Sequence, residues 1–117
     1  MQLNEISYGA AQPVEGYGPG FFRIGGNVIE GPVICHPGGA RAWGGLEDEA
    51  ALMALSGEVD VLLMGMGAEI APLPGELRAR LEAAGIGVDV MATAPAARTY
   101  NVLLAEGRRI GAALLSV

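Results

Sequence analysis

The chain has 117 residues, which suits one domain, and 51% of them are hydrophobic, which excludes disorder over most of its length. Seven basic against 13 acidic residues give a net charge of −6. This balance argues against proteins that bind nucleic acid or anionic membranes, because attraction to phosphate requires a basic face. All seven basic residues are arginine, so Schiff-base lysine chemistry and the lysine of a phosphate-binding loop are excluded.

The first twenty residues are rich in glycine and polar side chains. We therefore expect a loosely ordered N-terminal arm over residues 1–20, with one short strand around Leu3–Tyr8, followed by a single α/β domain over 21–117. The domain opens as a β-meander. Its strands are predicted at Phe21–Ile24, Val28–Ile29 and Gly31–His36, and Gly25-Gly26-Asn27 has the composition of a turn.

The second half of the sequence alternates strands with helices. Residues 37–45 are predicted to form a glycine-rich loop. Helices are predicted at 46–55, 74–84 and 95–106, the last capped by Thr93. Apolar runs predict buried strands at 59–66, 86–91 and 110–116, with the last one central. This order predicts a mostly parallel or mixed sheet with helices packed against it.

The single cysteine and the single histidine, Cys35 and His36, limit the chemistry that the chain can perform. They exclude an intrachain disulfide and a zinc site built from several cysteines or histidines within one chain. As neighbours on a strand they point to opposite faces, so they cannot form a thiolate–imidazolium pair. The N-terminus has no secretory or mitochondrial targeting pattern and no apolar run reaches the length of a membrane helix, so we expect a cytoplasmic protein without direct membrane insertion.

Gly65-Met66-Gly67 follows a predicted strand, and Asp89 lies 22 positions after Gly67, which partly matches a dinucleotide-binding fingerprint. The match fails because Ile70 stands at the third glycine position and the next helix starts too late for its N-terminus to face a pyrophosphate. A tight turn after a buried strand is the favoured interpretation, so no cofactor is expected.

Arg98 and Asn101 lie three residues apart on one helix face, where they form either an anion-binding site or a structural hydrogen-bonding pair. Because parallel strands end at one sheet edge, we expect both to cluster with Thr93 and with the turn formed by Gly65 and Gly67. Trp43, with Arg41 on the same loop, either anchors an interface or folds back over the core.

Several segments resemble a known family. They are Gly31-Pro32-Val33, Trp43, Val61–Gly67, Gly85–Met91 and, as the best match, Thr93–Arg109 with Arg98-Thr99-Tyr100-Asn101 at its core. Together they resemble the Mth938-like domain, a small family of undetermined function in bacteria. Its eukaryotic relatives include mitochondrial respiratory complex I assembly factor 3 and an adipogenesis-associated cytosolic protein.

The resemblance implies a three-layer α/β fold with a central mixed sheet, helices and an additional β layer. It implies a bacterial protein without established enzyme activity or cofactor, which binds a protein partner as an interaction or assembly factor for membrane-associated complexes. The alternative is a protein or enzyme that binds a small anionic ligand at Arg98 and Asn101. Met66 and Ala97 stand where relatives often have threonine and cysteine, which argues against hydroxyl or thiol chemistry there.

Overall fold

The computed structural model describes residues 11–117, which form eight strands and three helices. The strands are β1 (Val14–Gly18), β2 (Phe21–Ile24), β3 (Asn27–Glu30), β4 (Val33–His36), β5 (Gly39–Ala42), β6 (Val61–Gly65), β7 (Gly87–Met91) and β8 (Ile110–Leu114). The helices are α1 (Glu49–Met53), α2 (Gly75–Ala83) and α3 (Thr93–Ala105). Within this range no helix is long and apolar enough to span a membrane.

The larger sheet has five strands in the order β5-β4-β8-β6-β7. β8 pairs in parallel with β6 and antiparallel with β4, and every residue of β8 is buried. The apolar runs therefore predicted correctly that β6, β7 and β8 share one sheet and that the last of them is central. The expectation that β7 is buried was wrong, because β7 is the sheet edge and Asp89 is exposed.

A second sheet of three antiparallel strands has the order β1-β2-β3. Its turn between β2 and β3 consists of Gly25 and Gly26, whose φ angles of 60° and 81° fit the left-handed region that such a hairpin requires. β1 lies within residues 1–20, the range expected to form a loosely ordered arm. The short strand expected around Leu3–Tyr8 lies outside the described residues.

Two further elements differ from the expectation. The glycine-rich stretch 37–45 contains β5, which pairs with β4 through a tight hairpin and has little strand propensity of its own. The helix expected over 46–55 is shortened to α1, which follows Asp48. In both places pairing and packing with distant residues, rather than the local pattern, decide the structure.

The five-stranded sheet separates two hydrophobic cores. On one face, α3 and the three-stranded sheet pack together, and Phe22, Cys35 and Tyr100 are fully buried between them and the larger sheet. On the other face, α1 and α2 cover Leu62 and Met64 of β6. β6 and β7 run parallel, so their carboxyl ends lie together at one edge of the larger sheet. α3 starts at the same edge, where the backbone of Thr93 bonds to Gly67.

Candidate functional site

Thr93 joins three elements at this edge. Its side chain is fully buried, and its Oγ1 accepts a hydrogen bond from the backbone N–H of Gly67 (2.9 Å) and donates one to the carbonyl of Leu115 (2.7 Å). The backbone N–H of Thr93 also donates to the carbonyl of Gly67 (2.8 Å). Thr93 is therefore the first residue of α3 and not its N-cap, which is Ala92. Its hydroxyl ties the strand ends together instead of capping the helix.

Gly65, at the end of β6, has no room for a side chain. A Cβ atom there would lie 2.9 Å from Cα of Thr93 and 2.9 Å from a methyl group of Leu114. Gly67 has a φ of 105°, which side chains rarely adopt. Gly65 is thus required by the close approach of α3 and Gly67 by its backbone conformation, and both agree with the tight-turn interpretation of the motif.

Asn101 serves a different contact from the one expected. Its Oδ1 accepts from the backbone N–H of Val14 (2.8 Å), and its Nδ2 donates to the carbonyl of Val14 (2.9 Å). The expected cluster of Asn101 with Thr93 and the turn after Met66 is therefore not formed. Eight residues along a helix correspond to about 12 Å, so Asn101 lies beyond reach of that turn and faces β1.

Arg98 lies one turn into α3, and its side chain is exposed. The ion pairs of arginine found among residues 11–117 involve other arginines: Arg78 with Glu82, Arg80 with Glu49 and Arg109 with Asp60. The structure thus brings Thr93, Gly65 and Gly67 together and leaves Arg98 at the surface.

Trp43 is buried, with 4% of its surface exposed, and its indole N–H donates to the carbonyl of Asp48 (3.1 Å). It packs over the core on the side of α1 and α2, which matches the second of the two alternatives for this residue. Arg41 is exposed on β5 and donates to Nε2 of His36 (2.9 Å). Nδ1 of His36 lies 3.1 Å from Oε1 of Glu58 and 3.1 Å from the backbone nitrogen of Gly38.

Two features of the structure were not foreseen. The first is the buried hydroxyl of Tyr100, which lies in the same core as Cys35. Within residues 11–117 the Tyr100 hydroxyl has no hydrogen-bond partner, and burial, with a smaller contribution from the Cys35 thiol, raises its pKa. Burial also raises the pKa of Cys35 to about 12, so its thiol stays protonated at neutral pH and is a poor nucleophile.

The second feature is an apolar cavity of about 280 Å³ beside β7. It is lined by Ile70, Ala71, Pro72, Leu73, Arg78 and Val90. Its sequence signal is the apolar, proline-bearing stretch before α2, residues 70–74. The lining is suited to apolar side chains with one cation at the rim.

A family model described as "Protein of unknown function (DUF498/DUF598)" matches residues 14–115. The chain belongs to this family. Among proteins similar to this DUF498/DUF598 member, an uncharacterised protein of Rhodobacter capsulatus is 56% identical, over 98% of this chain and 93% of that protein. NADH dehydrogenase [ubiquinone] 1 alpha subcomplex assembly factor 3 of Danio rerio is 31% identical over 91% of this chain. The match spans 65% of that relative's length.

Solved structures agree with this assignment. A Bartonella henselae protein described as an outer membrane protein is 38% identical with a TM-score of 0.85, covering 92% of this chain and 97% of that one. A Bordetella pertussis protein described as an Mth938-like domain is 29% identical with a TM-score of 0.77, covering 99% and 92%. The resemblance to the Mth938-like family and the α/β fold class are therefore confirmed.

Proposed function

We propose that this DUF498/DUF598 protein is a non-enzymatic, cytoplasmic factor that binds a protein partner and assists the assembly of membrane-associated complexes. The observation that carries the proposal is its 31% identity, over 91% of the chain, to a protein named as an assembly factor of NADH dehydrogenase. Homology at this level supports a related biological role while leaving the identity of the partner open.

The side chains at the candidate site support a binding role over a catalytic one. The polar side-chain atoms of Thr93 and Asn101 form hydrogen bonds with backbone groups of the same chain. The buried thiol of Cys35 has its pKa raised to about 12, which disfavours the thiolate that a nucleophile requires. These residues hold the fold together, and recognition is left to the surface.

The test is deletion of the gene in the source organism, followed by native gel electrophoresis of its membrane complexes. NADH dehydrogenase is scored first, because it appears in the name of the relative. We expect at least one complex to fall in abundance, with subcomplexes accumulating, and to recover when the wild-type gene is restored. Wild-type levels and assembly rates of every resolved complex would contradict the proposal.

The second candidate is a protein that binds a small anion through Arg98. It is favoured by one observation, the exposed guanidinium near the N-terminal end of α3, where the helix dipole adds positive potential. Thermal-shift titration with inorganic phosphate and with citrate tests it. A stabilisation lost in Arg98→Ala but kept in Arg108→Ala supports the site, and identical responses of both variants refute it.

A further inference from the structure

β7 presents an open strand edge. The backbone N–H of Gly87 donates to the carbonyl of Asp60 (2.9 Å), and the carbonyl of Met91 accepts from Met66 (2.8 Å). The backbone groups of residues 87, 89 and 91 therefore face β6. Since backbone groups alternate in direction along a strand, those of Val88 and Val90 point outward. β7 is the last strand of its sheet in the described chain, so these groups have no partner strand there.

One outward group is occupied and the others are left for pairing. The Val88 carbonyl accepts from Nη2 of Arg78 (2.9 Å), and the same guanidinium pairs with Glu82 (3.2 Å). Three outward groups remain for pairing with an added strand: the N–H of Val88, the N–H of Val90 and the carbonyl of Val90. An extended backbone matches this alternation of donors and acceptors, whereas a helix has already used its own.

The cavity of about 280 Å³ lies beside this edge and includes Val90 in its lining. Ile70, another lining residue, is 67% exposed, which is the largest exposure of any large hydrophobic side chain in the described range. A strand added to β7 would place side chains on both faces of the sheet in alternation. Those on the cavity side would reach Ile70 and Leu73.

Charge indicates the nature of the added strand. Asp89 on β7 and Glu69 beside the cavity are exposed, and neither takes part in the ion pairs found among residues 11–117. The chain as a whole carries −6. Arg78, the cation in the cavity lining, is paired with Glu82, so the charges at this edge outside those ion pairs are negative and a basic segment complements them. A second copy of the chain in the antiparallel register that pairs Val88 with Val90 would place Asp89 opposite Asp89, which is unfavourable.

We propose that β7 and the cavity lined by Ile70, Leu73 and Val90 form a docking site for an extended, basic segment of a protein partner, which adds to the sheet as a sixth strand. The inference rests on the proposed function in that the occupant is a protein, and it names the surface and the chemistry of recognition.

The test uses the whole chain and a random twelve-residue peptide library displayed on phage. We expect enriched peptides to alternate apolar with arginine or lysine residues and to perturb the amide signals of Val88 and Val90 in NMR titrations. Val90→Pro removes an outward N–H and leaves the hydrogen bonds between β7 and β6 in place. Edge strands tolerate proline at such a position. Val90→Pro together with Ile70→Ser should weaken binding of the best synthetic peptide at least tenfold, and binding should fall as salt is raised.

Val102→Ser is the matched control, because Val102 is also exposed (57%) but lies on α3. It should bind the peptide as the wild type does. Failure to enrich such peptides, equal binding by Val90→Pro, or signal changes mapping away from β7 would overturn the inference. A wild-type dimer that Val90→Pro converts to monomer would assign the edge to a second copy and also overturn it. If the Val90→Pro variant fully rescues the defect of the gene deletion, the docking site at β7 is refuted and the proposed assembly role is retained.

Discussion

At the scale of single residues, the polar side chain of Thr93 holds the strand ends together through hydrogen bonds to backbone groups. Thr93 contributes one hydroxyl to two hydrogen bonds, one to β6's following turn and one to the segment after β8. The hydroxyl both accepts and donates, and its side chain is fully buried, so one atom serves two backbone groups of different segments. A side chain of equal size without oxygen would leave two backbone groups unpaired.

We therefore expect Thr93→Val to lower the free energy of unfolding by about 2–6 kcal/mol, since each of the two backbone groups left unpaired costs about 1–3 kcal/mol. Urea denaturation followed by circular dichroism measures this. Thr99→Val, on the same helix but only partly buried, serves as the control and should change stability by less than about 1 kcal/mol. Equal losses in both variants would show that helix propensity, and not the Thr93 bonds, is responsible.

Cys35 makes the stability of the protein depend on alkaline pH. Its pKa is about 12 in the folded chain against an ordinary 9.0, so the unfolded state loses its proton first as pH rises. The stabilisation is complete below pH 9 and is lost by about 1.4 kcal/mol per pH unit between pH 9 and 12. The raised pKa of Tyr100 acts in the same direction above pH 10.

Urea midpoints of wild type and Cys35→Ala at pH 8, 9, 10 and 11 test this. The variant should be less stable at pH 8 because it leaves a cavity, yet it should lose stability more gently as pH rises. Parallel pH profiles for the two proteins would show that the thiol does not carry the dependence.

At the scale of elements, α3 links the two sheets. It packs on β6 and β8, and through Asn101 it holds the backbone of Val14 in β1 by a pair of hydrogen bonds. The amide thereby fixes both the position and the direction of the three-stranded sheet on the larger one. Arg98, one turn earlier, is exposed and takes part in none of the ion pairs found among residues 11–117.

Asn101→Ala should therefore cost about 1–3 kcal/mol of unfolding free energy, because the two polar groups of Val14 lose their partners. Arg98→Ala should cost less than about 0.5 kcal/mol, as an exposed side chain does. Arg98 and Asn101 lie three residues apart on α3, so each variant is a control for the other in the same denaturation series. A larger loss in Arg98→Ala would reveal a structural contact of the guanidinium.

Much of the larger sheet could be predicted from the sequence. The candidate site at the start of α3, which was expected to join Thr93 and the Gly65–Gly67 turn with Arg98 and Asn101, could be predicted only in part. The apolar runs of β6 and β8 reflect burial on both faces, which leaves a strong local pattern. The exposed edge position of β7 left only Asp89 as a hint. The contact of Thr93 with Gly67 follows from parallel strands ending together. The bond of Asn101 to Val14, 87 residues away, depends on where the small sheet docks, and no spacing encodes that.

At the scale of the whole molecule, one sheet supports two cores. Leu62 and Leu63 are neighbours on β6, both are at most 1% exposed, and they belong to opposite cores. Because the strand between them is shared, damage to one core weakens the support of the other. We expect the described fold to unfold as one cooperative unit.

Leu63→Ala should lower stability by about 2–5 kcal/mol, as large-to-small core changes do. Trp43, the single tryptophan, lies in the opposite core and reports on it by fluorescence. The fluorescence midpoint and the far-UV circular dichroism midpoint in urea should fall together by the same amount. A fluorescence midpoint that stays at the wild-type value would show that the two cores unfold independently. Leu62→Ala is the companion variant on the Trp43 side.

The central place of β8 also affects how the chain acquires its structure during synthesis. β8 follows every other described strand, yet it lies between β4 and β6 and pairs with both. Until residues 110–114 leave the ribosome, the β4–β5 hairpin and the β6–β7 pair have no common neighbour, and their apolar faces stay accessible. A nascent chain of this protein thus depends on β8 to complete the larger sheet, and the apolar surface exposed in that interval is of the kind that favours aggregation.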